Sequence, residues 1–289
     1  MASFRIGGVP EHFNIPFHIA KEKKLYDDSD IVEFINVPEG SGAMVSGLRT
    51  AKYDMIIALT ECLVAEIEKG KGDIKLIGEY VHSPLAWGVC VHVDGRYKKL
   101  DELEGRTFGI SRYGSGSHIM ADVMARQRGW SQKPKFHVCN NFVGLRSSLQ
   151  SGEIDCFLWE AFTCSPYVDT KELLVIDKVP TPWPCFMAAM RSDSSADLIK
   201  LGRAILTTTL DAANRIFKAN ENDVSIHRIV SDFKLTPDNA RAWLSQVAYS
   251  SNGKADSRIL DAAKIALLES DVLKPEMIFM RSVDDYVFL

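Results

Sequence analysis

Short apolar runs alternate with helical patterns through the first two-thirds of the chain. This alternation limits the fold more than any other feature of the sequence. Strand-like runs fall at residues 4–7, 31–37, 55–59, 75–80, 88–93, 106–111, 135–139, 155–159, 173–177 and 185–190. Several are nearly all apolar, the pattern of strands covered on both faces. Helical periodicity occupies 18–25, 43–51, 61–69, 118–128 and 143–150, with Gly129 and Gly152 placed as C-terminal caps. Strand and helix in alternation predict an α/β fold. From Ser194 the pattern changes to helix after helix, over 195–220, 224–233, 237–248 and 257–268. Pro237 follows Thr236 as a first-turn proline behind a good N-cap. These helices are expected to pack on lobes already formed.

An internal echo predicts two similar α/β lobes. Leu48 leads through Asp54 into the apolar run Met55-Ile56-Ile57-Ala58-Leu59 and then Thr60-Glu61. Leu149 leads through Asp155 into Cys156-Phe157-Leu158-Trp159 and then Glu160. A strand, a loop and a helix precede each.

Composition narrows the class of partner. The chain has 289 residues, enough for about two domains. It is 46% hydrophobic and 25% charged, which excludes a disordered tail, a collagen-like repeat and a coiled coil. Its net charge is -4 and the charges are interleaved, so no basic block marks nucleic acid as a partner. No apolar run approaches the roughly 20 residues that span a bilayer. Met1-Ala2-Ser3 leads straight into the first strand, without the pattern of a secretory signal. Cys62, Cys90, Cys139, Cys156, Cys164 and Cys185 show no CxxC spacing and read as buried free thiols. The expectation is a cytoplasmic protein, with a removed signal as the alternative, and no metal or cofactor.

In open α/β sheets ligands bind beyond the carboxyl ends of the strands, so the loops there carry the functional reading. The clearest is Ser111-Arg112-Tyr113-Gly114-Ser115-Gly116-Ser117-His118, which follows a strand and opens a helix. Its glycines let backbone approach a ligand, and the amides of a helix N-terminus favour an anion. The alternative is a helix cap alone. The Gly-Lys-Ser/Thr end of a Walker loop is missing. A Gly116→Val change is expected to block the ligand while sparing the fold. Gly40-Ser41-Gly42 is a smaller version of the same loop, and Pro10, Glu11, His12 and Asn14 follow the first strand. Thr60-Glu61 and Trp159-Glu160 end the echoing strands, where each carboxylate either faces a cleft or merely complements a helix dipole. Trp183 is read as an apolar wall or an edge cover. No GxSxG, HExxH or GxGxxG motif is present, and no two histidines have metal-ligand spacing. Binding is therefore favoured over catalysis.

The chain resembles type II periplasmic-binding-protein-like proteins, in the branch of nitrate/sulfonate/taurine solute-binding and thiamine-pyrimidine synthase-like proteins. The resemblance rests on "GGVPEHFNIPFHIAKEKKLY", "PEGSGAMVSGLRTAKYDMIIALTE", "LEGRTFGISRYGSGSHIMADVMARQRGW" and "LQSGEIDCFLWEAF", in order over about residues 4 to 190. It implies a discontinuous lobe I (1–88 plus 190–289) carrying the helical tail, a lobe II (89–189), and one ligand between them, sequestered by hinge closure. It places Pro10, Glu11, His12, Asn14, Ser41, Thr60 and Glu61 on one wall. Ser111, Tyr113, Gly114, Ser115, Gly116, Ser117, His118, Trp159 and Glu160 take the other. The expected ligand is a small anionic or heterocyclic metabolite, sulfonate-like or thiamine-precursor-like. Bacterial members hand solute to a membrane transporter, so a transporter component is one alternative. A thiamine-pyrimidine biosynthetic enzyme is another, with His12 or His118 in a chemical role. Against that activity, the cysteine-rich run of the fungal synthases is reduced here to Pro184-Cys185-Phe186-Met187.

Overall fold

The structure is a computed structural model and describes residues 3–70, 72–278 and 283–288. Every expected strand forms. In chain order they are β1 (Phe4–Gly8), β2 (Val32–Asn36), β3 (Met55–Leu59), β4 (Ile74–Val81), β5 (Ala86–His92), β6 (Thr107–Ile110), β7 (Lys135–Val138), β8 (Cys156–Glu160), β9 (Leu173–Pro180) and β10 (Phe186–Arg191). They build two five-stranded sheets, ordered β2-β1-β3-β10-β4 and β7-β6-β8-β5-β9. β1 runs parallel to β2 and β3, and β10 lies antiparallel between β3 and β4. The second sheet repeats this plan: β6 is parallel to β7 and β8, and β5 is antiparallel between β8 and β9. The antiparallel strand of each sheet is thus supplied from the other side of a chain crossing.

The echoing aspartates do the same work in both sheets. Asp54 Oδ2 accepts from the Arg5 amide at 2.8 Å, and its own amide donates to the Arg5 carbonyl at 2.8 Å. Asp155 Oδ2 accepts from the Thr107 amide at 2.9 Å, and its amide donates to the Thr107 carbonyl at 2.8 Å. Each pins the start of a central strand to its parallel neighbour, which satisfies backbone groups that would otherwise be left open.

The helices α1 (Ile15–Glu22), α2 (Ser41–Arg49), α3 (Thr60–Lys69), α4 (Gly116–Gln127), α5 (Phe142–Ser151) and α6 (Ala161–Asp169) link the strands. α6 was not anticipated, because Pro166 inside it breaks the helical signal. The tail forms α7 (Ala196–Ala212), α8 (Val224–Phe233), α9 (Pro237–Gln246) and α10 (Ser257–Glu269). The helix expected over 195–220 changes at Ala213–Phe217 to a wider π turn. α7 packs on β4 and α1, as expected for a tail on the first lobe. α10 touches both α3 and α4, and α9 also touches α6, so the tail reaches the second lobe too.

Met55, Ile56, Ile57 and Ala58 of β3 are fully buried, as a strand with helices on both faces must be. Each large side chain there contributes about 2 kcal/mol of apolar burial. Two crossing segments, 82–85 and 181–185, join the sheets and lie side by side. The Thr181 amide donates to the Leu85 carbonyl at 3.0 Å, and the Cys185 amide to the Ser83 carbonyl at 3.2 Å.

Candidate functional site

A cavity of about 430 Å³ opens between the two sheets at the carboxyl ends of β1, β3, β6 and β8. Pro10, Glu11, Ser41 and Leu59 line it from the first sheet's side. Ser111, Arg112, Ser115, Gly116, Ser117, Trp159 and Glu160 line it from the second, and Leu85, Trp87 and Phe186 close it near the crossings.

The loop before α4 uses its Ser115 and Ser117 hydroxyls internally. Ser115 is the N-cap: its Oγ accepts from the His118 amide at 3.4 Å and donates to the Arg112 carbonyl at 2.6 Å. Ser117 Oγ lies 3.0 Å from Ser115 Oγ and accepts from the Ser111 amide at 3.1 Å. The first-turn amides of Gly116 and Ser117 have no acceptor four residues back, so they are available to a ligand.

Arg112 provides the charge. Among the described residues it makes no ion pair, and its side chain donates to Cys62 Sγ at 3.5 Å, on α3 of the opposite lobe. It crosses the cleft directly over Gly42, where an added Cβ would lie 2.6 Å from the guanidinium Nε. A side chain at residue 42 would have to displace the Arg112 guanidinium. Gly40 sits at φ 80 as the N-cap of α2, a conformation that favours glycine. Ser41 Oγ accepts from the Leu59 amide at 3.3 Å and fixes that helix end onto β3.

Aromatic rings build one wall. Trp159 stacks on Phe142 with centroids 5.1 Å apart and meets Trp87 edge-on at 6.5 Å. Near the crossings the wall carries acid. Burial, reinforced by nearby Glu160, pushes the Glu11 carboxyl up to about 8. Burial also raises Glu160, although its Oε2 accepts from the Thr163 amide at 2.6 Å and from the Thr163 hydroxyl at 2.8 Å.

Of the residues expected at the site, Pro10, Glu11, Ser41, Ser111, Ser115, Gly116, Ser117, Trp159 and Glu160 come together on this cavity. The others do not line it. His12 is buried among Phe13, Phe233 and Trp243, and burial lowers it to about 3, so it stays neutral. Asn14 donates to the Val9 carbonyl at 2.8 Å and braces the loop from behind. The Thr60 hydroxyl donates to the Pro184 carbonyl at 2.5 Å, and Glu61 Oε2 accepts from Trp183 Nε1 at 2.9 Å. Thr60, Glu61 and Trp183 thus latch α3 to the second crossing. Tyr113 is exposed, and Gly114 turns away toward Val272. His118 Nδ1 accepts from the Gly114 amide at 3.2 Å, its ring packs on Phe136, and burial lowers it to about 4. The enzyme alternative loses both histidines from the cavity. Gly116 also needs correction: an added Cβ would meet the Trp87 ring at 2.6 Å and Leu59 at 2.9 Å, so valine there disturbs packing as well as ligand approach.

Sequence reasoning missed Arg112, Trp87, Asn141 and Thr163. Asn141 lies in a strand-to-helix loop like the others, where its Oδ1 caps α5 by accepting from the Gly144 amide at 2.9 Å. Among the described residues, no group of three or more His, Cys, Asp or Glu is placed to hold a metal ion. Among them, too, no helix is long and apolar enough to cross a membrane.

Comparison with known proteins agrees with this fold. Residues 87–179 match the family model described as Ca3427-like PBP. The CA3427 gene product of Candida albicans, described as defining a new family with the generic periplasmic binding protein fold, superimposes with a TM-score of 0.86. The two are 29% identical over 99% of this chain and 96% of that one. The chain has the periplasmic binding protein fold. The periplasmic aliphatic sulphonate binding protein SsuA of Escherichia coli shares that fold at a TM-score of 0.70 and 14% identity, over 99% of this chain and 92% of its own. The alkanesulfonate-binding protein SsuA of Xanthomonas axonopodis pv. citri, solved bound to MOPS, gives 0.73 and 14% over 94% of each chain. No curated protein matches the chain. The resemblance read from the four motifs and the two-lobed fold it implied are both borne out.

Proposed function

We propose that this protein binds one small molecule with an anionic head group, sulfonate-like or thiamine-precursor-like, in the cleft between its lobes, without catalysing a reaction. The observation that carries the reading is Arg112. A guanidinium with no ion pair among the described residues spans the cleft beside the first-turn amides of α4. Cation and helix N-terminus together form an anion site, and the fork of an arginine suits an oxyanion. The wall of Trp87, Trp159 and Phe142 supports a flat or hydrocarbon body for the ligand.

The two crossings, 82–85 and 181–185, are the hinges in this reading, which puts the lobe boundaries there, a few residues before the expected 88 and 190. Closure brings Arg112 over Gly42 and seals the ligand from water. The burial of all six cysteines as free thiols supports a reducing, cytoplasmic setting. Titration calorimetry against alkane- and arylsulfonates, with matched uncharged compounds as controls, tests the proposal. A saturable one-to-one isotherm confined to the anions is expected. Equal binding of anions and uncharged controls, or binding of none, refutes it.

A further inference from the structure

The cavity holds a second charged feature that an anion site does not explain. Glu11 follows β1 in one lobe and Glu160 ends β8 in the other, and both line the same space. Among the described residues Glu11's carboxyl has neither a hydrogen bond nor an ion pair. Glu160 is 3% exposed and is held at the start of α6 by the Thr163 amide and hydroxyl and by the Phe162 amide, none of them a cation. The nearest base is His12, with Nε2 3.8 Å from Glu160 Oε2 and no hydrogen-bond partner. Its burial among aromatic rings keeps it neutral, so it cannot offset the acid. Lys178 bears on Glu160 only weakly and lies over the Phe162 ring. Arg112 forms no ion pair with either carboxylate. Two acids facing one cavity, with no cation in contact with either, ionise only at a cost in free energy, because burial disfavours charge and like charges repel. A ligand cation would remove that cost.

We infer that the ligand is zwitterionic: it carries a nitrogen cation, held between Glu11 and Glu160, at the end opposite its acidic group. The inference rests on the proposed anion site. It narrows the ligand class to compounds with an acidic group at one end, a protonated amine or amidine at the other, and a flat body between. The indole Nε1 of Trp87 is buried, lines the cavity and lacks a partner. Its backbone pairs across the sheet with Glu160; as a donor it can meet an acceptor on the ligand's body, not the cation itself.

The test uses matched probes on the full chain. 4-(Aminomethyl)benzenesulfonate, 4-ethylbenzenesulfonate and 4-(hydroxymethyl)benzenesulfonate differ only in whether the far end is a cation, a methyl or a neutral donor. 4-Ethylbenzylamine carries the cation without the anion. A charge-assisted hydrogen bond in a desolvated site predicts about ten-fold or more tighter binding of the aminomethyl sulfonate than of the ethyl compound. In Glu11→Gln that ratio should fall below about two-fold, and Glu11→Asp should restore most of it. Thermal melting of each variant separates this loss from unfolding, and Glu160→Gln serves as the second variant. Equal affinity for the three sulfonates, or a preference that survives both carboxamide variants, overturns the inference while leaving the anion site standing. Binding of the benzylamine without any sulfonate supports the acid pair and removes the anion site instead. Binding of neither amine overturns the inference.

Discussion

Glu61 provides the sharpest quantitative test of how the crossings are held. Its carboxyl is fully buried, Oε2 accepts from Trp183 Nε1 at 2.9 Å, and Oε1 has no partner. Burial raises it from 4.5 to about 7, with its own backbone amide and the Trp183 indole pulling the other way. For an acid raised on folding, the sign runs against alkaline stability. Below the unfolded value both states hold the proton and there is no penalty. As pH rises from there to about 7, the unfolded chain loses the proton while the folded chain keeps it, so stability falls. Above that the loss is complete. A shift of this size corresponds to about 3 kcal/mol. Glu61→Gln cannot ionise and keeps an acceptor for Trp183. Its stability relative to wild type should therefore rise by about 3 kcal/mol between pH of about 4.5 and about 8. Urea denaturation of both proteins across that range measures the difference directly, and other titrating groups cancel in it. Parallel stability curves, or a difference that shrinks with rising pH, would refute the reasoning and imply a hidden counter-charge. Since Glu61 lies outside the cavity, ligand affinity should stay within about two-fold.

Other perturbations separate the site from its supports. Gly42→Val pushes a side chain into the Arg112 guanidinium and should weaken sulfonate binding by about ten-fold or more in calorimetry. Gly116→Val meets Trp87 and Leu59 and should cost about 1–3 kcal/mol in denaturant unfolding as well as affinity. Asp155→Ala removes the acceptor of the Thr107 amide and the Tyr97 hydroxyl, for an expected loss of about 2 kcal/mol by urea titration with no specific effect on affinity. His12→Gln should leave the pH dependence of binding unchanged near neutrality, because the native imidazole is already neutral there.

What could be read in advance depended on how locally each feature is encoded. The strands announced themselves because runs such as Met55 to Leu59 are apolar on both faces. The repeat of Asp54 and Asp155 foreshadowed two sheets of one plan, and the backbone bonds of both residues show why. α6 was hidden because Pro166 interrupts its periodicity, while packing against β5 and β9 holds the helix. The side chains of Glu61 and His12 went astray for a different reason. A residue at a strand's end can face the cleft or the interior, and partners distant in sequence, Trp183 and Trp243, decide the matter. Arg112 stood inside the loop singled out first. Its importance comes from a contact with Gly42 and Cys62 in the other lobe, which only the assembled fold reveals.

The central claim is that an anion sits between Arg112 and the N-terminus of α4. A crystal structure of the protein soaked with 4-ethylbenzenesulfonate tests it most directly. The account predicts the sulfonate within about 3 Å of the Arg112 guanidinium and the Gly116 and Ser117 amides, with the ring against Trp159. A sulfonate bound elsewhere, or an Arg112 that turns away from the bound anion, would contradict it.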